Sequence, residues 1–486
     1  MIDPRTPVLV GGGQLNRRED PVEPVDLIVE AVRAAASDAE APSLTRAIDS
    51  VRIVGMLSWR YRDPGLLVGE RLGAAVRHTV YTGNGGSYPQ ALVNEAAEDI
   101  AAGRCDVVVV GGAEAWRTRM RLKREGRRPE WTVQDEALEP TAWHPDVPMR
   151  HPSEVAAGLD RPAHVYPLFE SALRIAAGRT PEAHLDRISR LWARFSEVAE
   201  KNPHAWTPRA HSAEQIATPS ASNRMISSPY PKLMNSNNSV EQSAAVIVCS
   251  AAAAERWGVP RDRWVFLASG AEAADAAAIA ARPDLHRSRA IRAAAAAALI
   301  HAGLRVEDLG PVDLYSCFPS AVQVAAQEVG LADDDPARSL TVTGGLTFAG
   351  GPWNNYSTHA IASMLDAVRE TGLPGLVTAN SGYLTKHAVG VYGPRPTGPF
   401  ARHRLEPDVR PIPIRLDHEG VGTLEAWTVR YDREGEPDRA MASIRTGDGA
   451  RVLAASDSRA VIDHLTVTAA EGASVMVSGG SRFELV

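Results

Sequence analysis

The chain has 486 residues, of which 44% are hydrophobic and 23% are charged, and its formal net charge is −7. This length supports two or three packed domains with a large buried core. The negative charge argues against general binding to nucleic acid or to anionic membranes. Three scattered cysteines, the lack of an apolar stretch that could span a bilayer and a start without a signal-peptide pattern together predict a cytoplasmic protein.

The first part of the chain alternates between strand and helix patterns. Residues 7–13 (PVLVGGG) predict a buried strand that ends in a glycine-rich turn, and residues 25–39 carry apolar side chains on one helix face. A strand at 48–56 and a helix at 90–102 follow, and they lead into 106–112 (DVVVVGG). An uninterrupted run of four valines is typical of a central strand that is buried on both faces.

The same order of elements returns about 265 residues later, which indicates an internal duplication. Residues 288–302 and 359–370 predict helices, and residues 311–317 and 375–380 predict strands. Alternating strands and helices favour a parallel or mixed sheet that is covered on both sides, with right-handed crossovers. Two such halves packed together predict a layered α/β/α/β/α body.

Composition divides the chain into three domains. Residues 1–262 are the first half, with an inserted, polar and proline-rich loop domain at about 114–227, and residues 263–400 are the second half. Residues 401–486 carry short strand patterns separated by turns, which predict a small β-barrel, with the oligonucleotide/oligosaccharide-binding (OB) type as one option. This last domain lacks a basic face with interleaved aromatic residues, so we do not expect it to bind nucleic acid.

Two features of the loop domain concern binding. Its histidines show no short-range ligand spacing, so no metal site is expected. Residues 117–128 (RTRMRLKREGRR) are strongly basic. Such a run is either a solvated face or a clamp for phosphates, and the sequence leaves both readings open.

Four short stretches follow in order on the two halves: GGS at 85–87, YSCF at 315–318, GGP at 350–352 and NSG at 380–382. In their order and setting, the chain resembles the thiolase superfamily over about residues 5–393. Within that superfamily it is similar to the sterol-carrier-protein-type thiolase-like proteins with an extra C-terminal domain, often labelled acetyl-CoA acetyltransferases. The resemblance implies a duplicated thiolase fold and a coenzyme A channel that ends at these loops.

The resemblance also implies that the chemically active positions have changed. Where thiolases carry a nucleophilic cysteine, the chain has the Gly85-Gly86-Ser87 corner, and the Gly-His-Pro histidine position holds Gly351. The oxyanion-hole asparagine or histidine becomes Tyr315, and the acid/base cysteine becomes Asn380. Because the acyl-enzyme step needs a thiolate, ordinary thiolysis and Claisen condensation are not expected.

Four residues are candidate catalytic groups. Tyr315 can donate a hydrogen bond to an oxyanion or act as a general acid, or it can be a packed residue whose hydroxyl bonds to the backbone. His387, beside Lys386, is a candidate base, and His359 is a weaker one on a helix; both also fit structural roles. Cys317 fits a small buried residue better than a nucleophile. The substrate-binding candidates are Gly85, Gly86, Ser87, Gly350, Gly351, Pro352, Asn354, Asn380 and Gly382.

Three functions remain open at this point. The first is an acyl-CoA-binding protein of the acetyl-CoA acetyltransferase family, in lipid metabolism, with its thiolase cycle disabled. The second is a retro-aldolase that cleaves a β-hydroxyacyl-CoA with Tyr315, and the third is a non-catalytic acyl-CoA or lipid carrier. The resemblance implies coenzyme A or acyl-CoA as substrate or ligand, and no tightly bound cofactor. Thiolases pair through their sheet edges, so a homodimer and a protein partner at the C-terminal domain both stay open.

Overall fold

The computed structural model describes residues 2–19 and 22–486, and its first half alternates between strands and helices as the pattern predicts. The four valines and both glycines of the DVVVVGG run lie buried in one strand. The elements of this half are β1 (Pro7–Asn16), α1 (Pro24–Asp38), β2 (Ser50–Ile53), α2 (Pro64–Leu72), β3 (His78–Thr82), α3 (Tyr88–Ala101) and β4 (Val107–Ala115).

A long segment of mostly helical structure follows β4, and we call residues 116–231 the loop segment. The first part of the basic run forms its first helix. The elements of the loop segment are α4 (Trp116–Arg124), β5 (Ala142–His144), α5 (Pro152–Ala156), α6 (Pro162–Ala176), α7 (Pro181–Lys201), α8 (Ala213–Ala217), β6 (Met225–Ser227) and β7 (Tyr230–Pro231).

The next elements repeat the alternation of the first half. They are β8 (Glu241–Ser250), α9 (Ala251–Arg256), β9 (Val265–Ala274), α10 (Arg289–Ala302), β10 (Val312–Asp313), α11 (Pro319–Val329), α12 (Gly345–Phe348), α13 (Tyr356–Thr371), β11 (Gly375–Ser381), β12 (Lys386–Gly393) and β13 (Ala401–Leu405). Short 3-10 turns lie at Pro42–Ala47, Lys232–Met234, Arg261–Arg263, Ile279–Ala281, Val306–Asp308 and Trp353–Asn355.

The strands of both halves join in one mixed sheet in the order β10-β11-β12-β9-β1-β8-β4-β2-β3-β5, with β13 paired to β9. Helices α3 and α13 contact strands of both halves, whereas α1 packs on the first half and α10 on the second. Two outer helical layers therefore enclose two sheet halves and a shared central helix layer. This is the duplicated α/β/α/β/α architecture that the sequence predicts.

The glycine run in β1 is explained by helix packing. A Cβ built at Gly11 would lie 2.8 Å from the carbonyl carbon of Ala35, and one at Gly13 would lie 3.0 Å from that of Ala31. Both contacts are with the backbone of α1, so only a strand without side chains at these positions lets the helix come this close. The run is a packing surface for α1.

The C-terminal strands form a closed five-stranded barrel in the order β15-β16-β18-β17-β14, closed by pairing of β14 with β15. This order, with a helix between the third and fourth strands, supports the OB-type assignment, which we keep as a proposal. The elements are β14 (Gly420–Tyr431), β15 (Pro437–Thr446), β16 (Arg451–Ser456), α14 (Arg459–Val467), β17 (Ser474–Ser478) and β18 (Arg482–Leu485).

Two elements differ from the sequence prediction in length. The strand predicted at 311–317 is only Val312–Asp313, because the chain leaves the sheet at the YSCF stretch and enters the candidate site. The strand predicted at 48–56 is Ser50–Ile53, and its continuation also turns into a loop. In the described part of the chain, no helix has the length and apolarity needed to cross a membrane.

Candidate active site

The loops of the four motifs meet at one cavity of about 520 Å³, which we call the central cavity. The motif residues that line it come from the corner before α3, the stretch after β10 and the end of β11. They are Gly85, Gly86, Tyr315, Cys317, Phe318, Asn380, Ser381 and Gly382, with Asn354 beside them. The loop segment covers the cavity with Arg150, Tyr166 and their neighbours. Three of the four stretches thus line one site although they are far apart in sequence, and the GGP stretch lies next to it.

The corner before α3 is held by side chains from the second half. The Gly85 amide donates to Asn354 Oδ1 at 2.9 Å, and the Ser87 amide donates to Ser381 Oγ at 2.7 Å. The Ser87 hydroxyl lies 2.6 Å from the same Ser381 oxygen. A serine nucleophile needs an adjacent base, and this serine is bonded to another hydroxyl instead. The geometry gives Ser87 a structural role at the corner.

Tyr315 fills the space above the corner. A Cβ built at Gly86 would lie 2.7 Å from the Asn380 carbonyl oxygen and 3.0 Å from Cζ of Tyr315, and it would meet the Tyr315 hydroxyl. Real Cβ atoms do not approach other atoms this closely, so Gly86 and Tyr315 fit only as a pair. The Tyr315 phenol occupies the space that any side chain at position 86 would need.

The Tyr315 hydroxyl makes no protein hydrogen bond within the described residues, whereas its amide donates to Thr378 Oγ1 at 2.9 Å. The structure therefore does not show the hydrogen bond from the Tyr315 hydroxyl to the backbone that was one of the two interpretations of this residue. Burial raises the pKa of Tyr315 well above its usual value, with the nearby Cys317 as a second cause. The phenol is neutral near pH 7 and can donate a hydrogen bond into the central cavity.

Cys317, Asn380 and Tyr166 form the wall beside Tyr315. Burial raises the pKa of Cys317 to about 12, so it stays a thiol, as expected for a small buried residue. Asn380 donates from Nδ2 to the Tyr166 hydroxyl at 2.9 Å, and its buried Oδ1 has no partner among the described atoms. Tyr166 stacks on Phe318 at a ring distance of 4.6 Å. Sequence reasoning missed Tyr166, because α6 belongs to a segment with no motif.

The GGP loop lies next to the central cavity. The Gly351 amide donates to the Asn237 carbonyl at 2.9 Å, and its own carbonyl accepts from Asn238 Nδ2 at 2.8 Å. Gly350 packs on Gln242, and a Cβ there would lie 2.8 Å from Cδ of that side chain. Gly350, Gly351 and Pro352 are not among the lining residues, whereas Trp353 and Asn354 are. The GGP loop therefore does not line the cavity itself but holds Trp353 and Asn354 in the cavity wall.

His387 is buried behind the site. Its Nε2 lies 3.6 Å from the Asp275 carboxylate and 3.2 Å from the Leu384 carbonyl. Burial opposes ionisation of Asp275, but the hydrogen bond from His387 and the charge of Arg282 outweigh it and lower the pKa of Asp275 to about 2. The imidazole shares only a void of about 10 Å³ with Tyr315 and does not line the central cavity.

His359 lies in the central helix layer, away from the central cavity. Its Nδ1 is 2.9 Å from Gln14 Oε1, and its Nε2 has no partner among the described residues. Burial lowers the pKa of His359 to about 3, so the ring is neutral at physiological pH. The structure therefore brings Tyr315 and Cys317 into the cavity wall but neither of the two candidate histidines. Among residues 2–19 and 22–486, no cluster of His, Cys, Asp and Glu could hold a metal ion.

Comparison with known proteins identifies the family and the fold of this chain. Residues 407–480 match the family model described as the thiolase-like protein type 1 additional C-terminal domain. The crystal structure of a monomeric SCP2-thiolase like protein type 1 from Mycobacterium smegmatis is 33% identical, with a TM-score of 0.84 and 100% of both chains covered. A comparison with curated protein sequences gives no match.

Two more distant structures share the fold. An acetyl-CoA acetyltransferase from Syntrophomonas wolfei is 17% identical, with a TM-score of 0.59 over 80% of this chain and 99% of that one. A structure described as an Ltp2-ChsH2(DUF35) aldolase is 19% identical, with a TM-score of 0.62 over 80% of this chain and 98% of that one. The match of its C-terminal domain to the family model and its 33% identity over the whole length of the Mycobacterium smegmatis protein show that the chain belongs to the SCP2-thiolase-like proteins of type 1.

Proposed function

We propose that the central cavity binds the thioester end of an acyl-CoA and that the protein does not carry out thiolysis or Claisen condensation. The observation that carries this proposal is the pairing of Gly86 with Tyr315. The family resemblance puts the thiolase nucleophile at this corner, and the phenol occupies the space that any side chain there would need. The thiol in the wall, Cys317, is held protonated by burial. The site keeps a ligand cavity but has no group suited to form an acyl-enzyme.

The wall offers hydrogen-bond donors to a thioester oxygen. The Tyr315 hydroxyl and the amides of Gly86 and Gly382 reach no acceptor in the described part of the protein, and all three residues line the cavity. Fixed donors of this kind favour a carbonyl oxygen and, more strongly, an enolate oxygen. We further propose that the protein is cytoplasmic and acts in lipid metabolism. Its three free and buried cysteines support the first point, and the proposed acyl-CoA ligand supports the second.

Calorimetric titration with coenzyme A and with acyl-CoAs of increasing chain length tests this proposal. We expect binding that strengthens with one acyl class, because the cavity wall is largely apolar, and no release of product from acetoacetyl-CoA plus coenzyme A. Thiolytic turnover by the purified protein, or no binding of any acyl-CoA, would contradict the proposal.

A second candidate function, retro-aldol cleavage of a β-hydroxyacyl-CoA, is favoured by the unpaired Tyr315 hydroxyl. In that reaction the Cα–Cβ bond breaks, its electrons pass into the thioester enolate, and the β-carbon becomes a carbonyl. One proton moves from the β-hydroxyl oxygen to the α-carbon. A phenol that gives its proton to the α-carbon and takes one from the β-hydroxyl balances the step.

Replacing Tyr315 by phenylalanine separates the two functions. In a retro-aldolase, Tyr315→Phe is expected to lower cleavage by about 100-fold or more, because the proton-transfer group is lost. Acyl-CoA affinity should change by less than about tenfold, since only one neutral hydrogen bond to the thioester oxygen is lost and the ring that packs on Gly86 remains. Aldehyde or ketone release from β-hydroxyacyl-CoAs measures the first effect, and calorimetry measures the second. Cleavage that survives in Tyr315→Phe would remove this tyrosine from the reaction.

A further inference from the structure

A second cavity, of about 430 Å³, lies between the loop segment and the barrel, and we call it the junction cavity. The loop segment lines it with Asp160, Arg161 and Ala163, and the barrel lines it with residues of the β14–β15 turn. The same Asp160, Arg161 and Ala163 also line the central cavity. The two spaces therefore share a wall at the start of α6. The volume is within the usual range of ligand pockets.

Two of the arginines in the junction cavity are already occupied. Arg430 holds Asp438 with two hydrogen bonds of 2.7 and 2.8 Å. Arg224 donates to the backbone carbonyls of Met225 and Asp432 at 3.0 and 3.2 Å. These contacts hold both side chains in the wall, so neither guanidinium group is fully free to bind a ligand.

The other two arginines have no such partner. Arg161 and Arg433 make no ion pair with any residue of the described ranges, and both are exposed at the rim. They come from opposite sides, one from the loop segment and one from the barrel. The lining holds four arginines against three aspartates, Asp160, Asp432 and Asp438, so its net charge is positive. A guanidinium is suited to bind phosphate oxygens in pairs, and this rim therefore favours a phosphorylated ligand.

An aromatic ring belongs to the same lining as the arginines. Tyr431 lines the junction cavity and is half-buried at the end of β14. The strand is fixed to the loop segment, because the Ser228 amide donates to the Val429 carbonyl at 2.8 Å and Thr428 donates back to the Ser228 carbonyl at 2.8 Å. A fixed ring beside free arginines provides a stacking face for a base and charges for its phosphates.

We propose that the junction cavity holds the phosphorylated adenosine end of the ligand, so that the barrel supplies part of a coenzyme A site. The identity of the ligand rests on the function proposed above. The basic helix α4 is the rival position for the phosphates. Its arginines line a separate space of about 150 Å³ that shares no described lining residue with the central cavity. Because the two pockets share no lining residue, the described structure gives no path for one ligand to occupy both that pocket and the thioester site.

Adenosine 3′,5′-bisphosphate, the nucleotide end of coenzyme A without its 4′-phosphopantetheine arm, tests this proposal by calorimetry. We expect binding to the wild type, a loss of about tenfold in Arg433→Glu and a loss of several-fold in Tyr431→Ala. Arg433 is exposed in a turn, so its substitution leaves the fold intact. Arg121→Glu on α4 makes the same charge change at an exposed position and is the matched control, with a change of less than about twofold expected.

S-acetylpantetheine, a thioester without the nucleotide, completes the experiment. It is expected to bind wild type and Arg433→Glu equally, because its arm reaches only the central cavity. No binding of the bisphosphate, or binding that is weakened by Arg121→Glu and not by Arg433→Glu, overturns the barrel proposal and leaves acyl-CoA binding standing. Bisphosphate binding that depends on Arg433 while no acyl thioester binds at all supports the nucleotide site and overturns the function proposed for the central cavity.

Discussion

Gly86→Cys, which restores a thiol at the corner where thiolases carry one, is expected to give no thiolase turnover and a less stable protein. The new Cβ would meet the Tyr315 hydroxyl and would lie 2.7 Å from the Asn380 carbonyl oxygen. Either the tyrosine or the corner must move, and overpacking of this kind costs roughly 1–3 kcal/mol. No imidazole lines the described cavity wall to activate the thiol. Urea denaturation measures the loss of stability, and coenzyme A-dependent cleavage of acetoacetyl-CoA measures turnover.

The matched control is Gly447→Cys in the barrel. A Cβ at Gly447 has no atom within 4 Å, so this variant adds the same thiol without a collision and should keep wild-type stability within about 0.5 kcal/mol. In the double variant Gly86→Cys with Tyr315→Ala, the loss should be smaller than the sum of the two single losses, since the alanine removes one of the two collisions. A Gly86→Cys protein as stable as Gly447→Cys would show that Tyr315 does not hold this space.

Arg451→Met is expected to lower the free energy of unfolding by about 3–5 kcal/mol, the cost of breaking a buried ion pair. The Arg451 side chain is fully buried and donates to both carboxylate oxygens of Glu425 at 2.8 Å. It also donates to the carbonyls of Ile279 and Ala280 at 3.2 Å, and to that of Arg282. Its loss would leave the Ala280 and Arg282 carbonyls unpaired where the barrel joins the second half of the body, whereas the Ile279 carbonyl keeps the Arg282 amide as a donor at 3.1 Å. Chemical denaturation measures the change, and limited proteolysis shows whether the barrel is released.

Arg459→Met provides the comparison, because Arg459 is also in the barrel but pairs with Asp463 on the exposed face of α14. Exposed pairs of this kind contribute little, so this variant should lose less than about 1 kcal/mol. Equal losses in the two variants would mean that Arg451 does not join the barrel to the body.

The sequence was sufficient to predict the layered fold, because the strand and helix periods repeat in both halves and buried strands such as β4 are apolar throughout. The motif order also led to the wall of the central cavity. It could not show which side chains point into that cavity. His387 looked like a free base beside Lys386, but its partner Asp275 directly follows β9, and only the pairing of β9 with β12 brings the two together.

The same limit applies to Tyr315 and Tyr166. The steric match between Gly86 and the phenol joins residues from different halves, so no local pattern predicts it. Tyr166 lies on α6, a helix whose apolar face looks like ordinary core. Short elements were also hard to predict, since β18 is a four-residue strand paired through backbone groups and contributes one buried ring, Phe483.

Strand β5 has a consequence for how the molecule meets copies of itself. It pairs in parallel with β3, with Val80 opposite Ala142 and Thr82 opposite His144, so the backbone groups on that side of β3 are already used. The pairing continues past the strand, where the Val147 amide donates to the Asn84 carbonyl at 2.8 Å beside the central cavity. A covered edge gives no template for a strand of another molecule. Within the described residues, β3 thus has no free edge for a second copy and β5 ends the sheet in its place, and the same segment supports the corner of its own site.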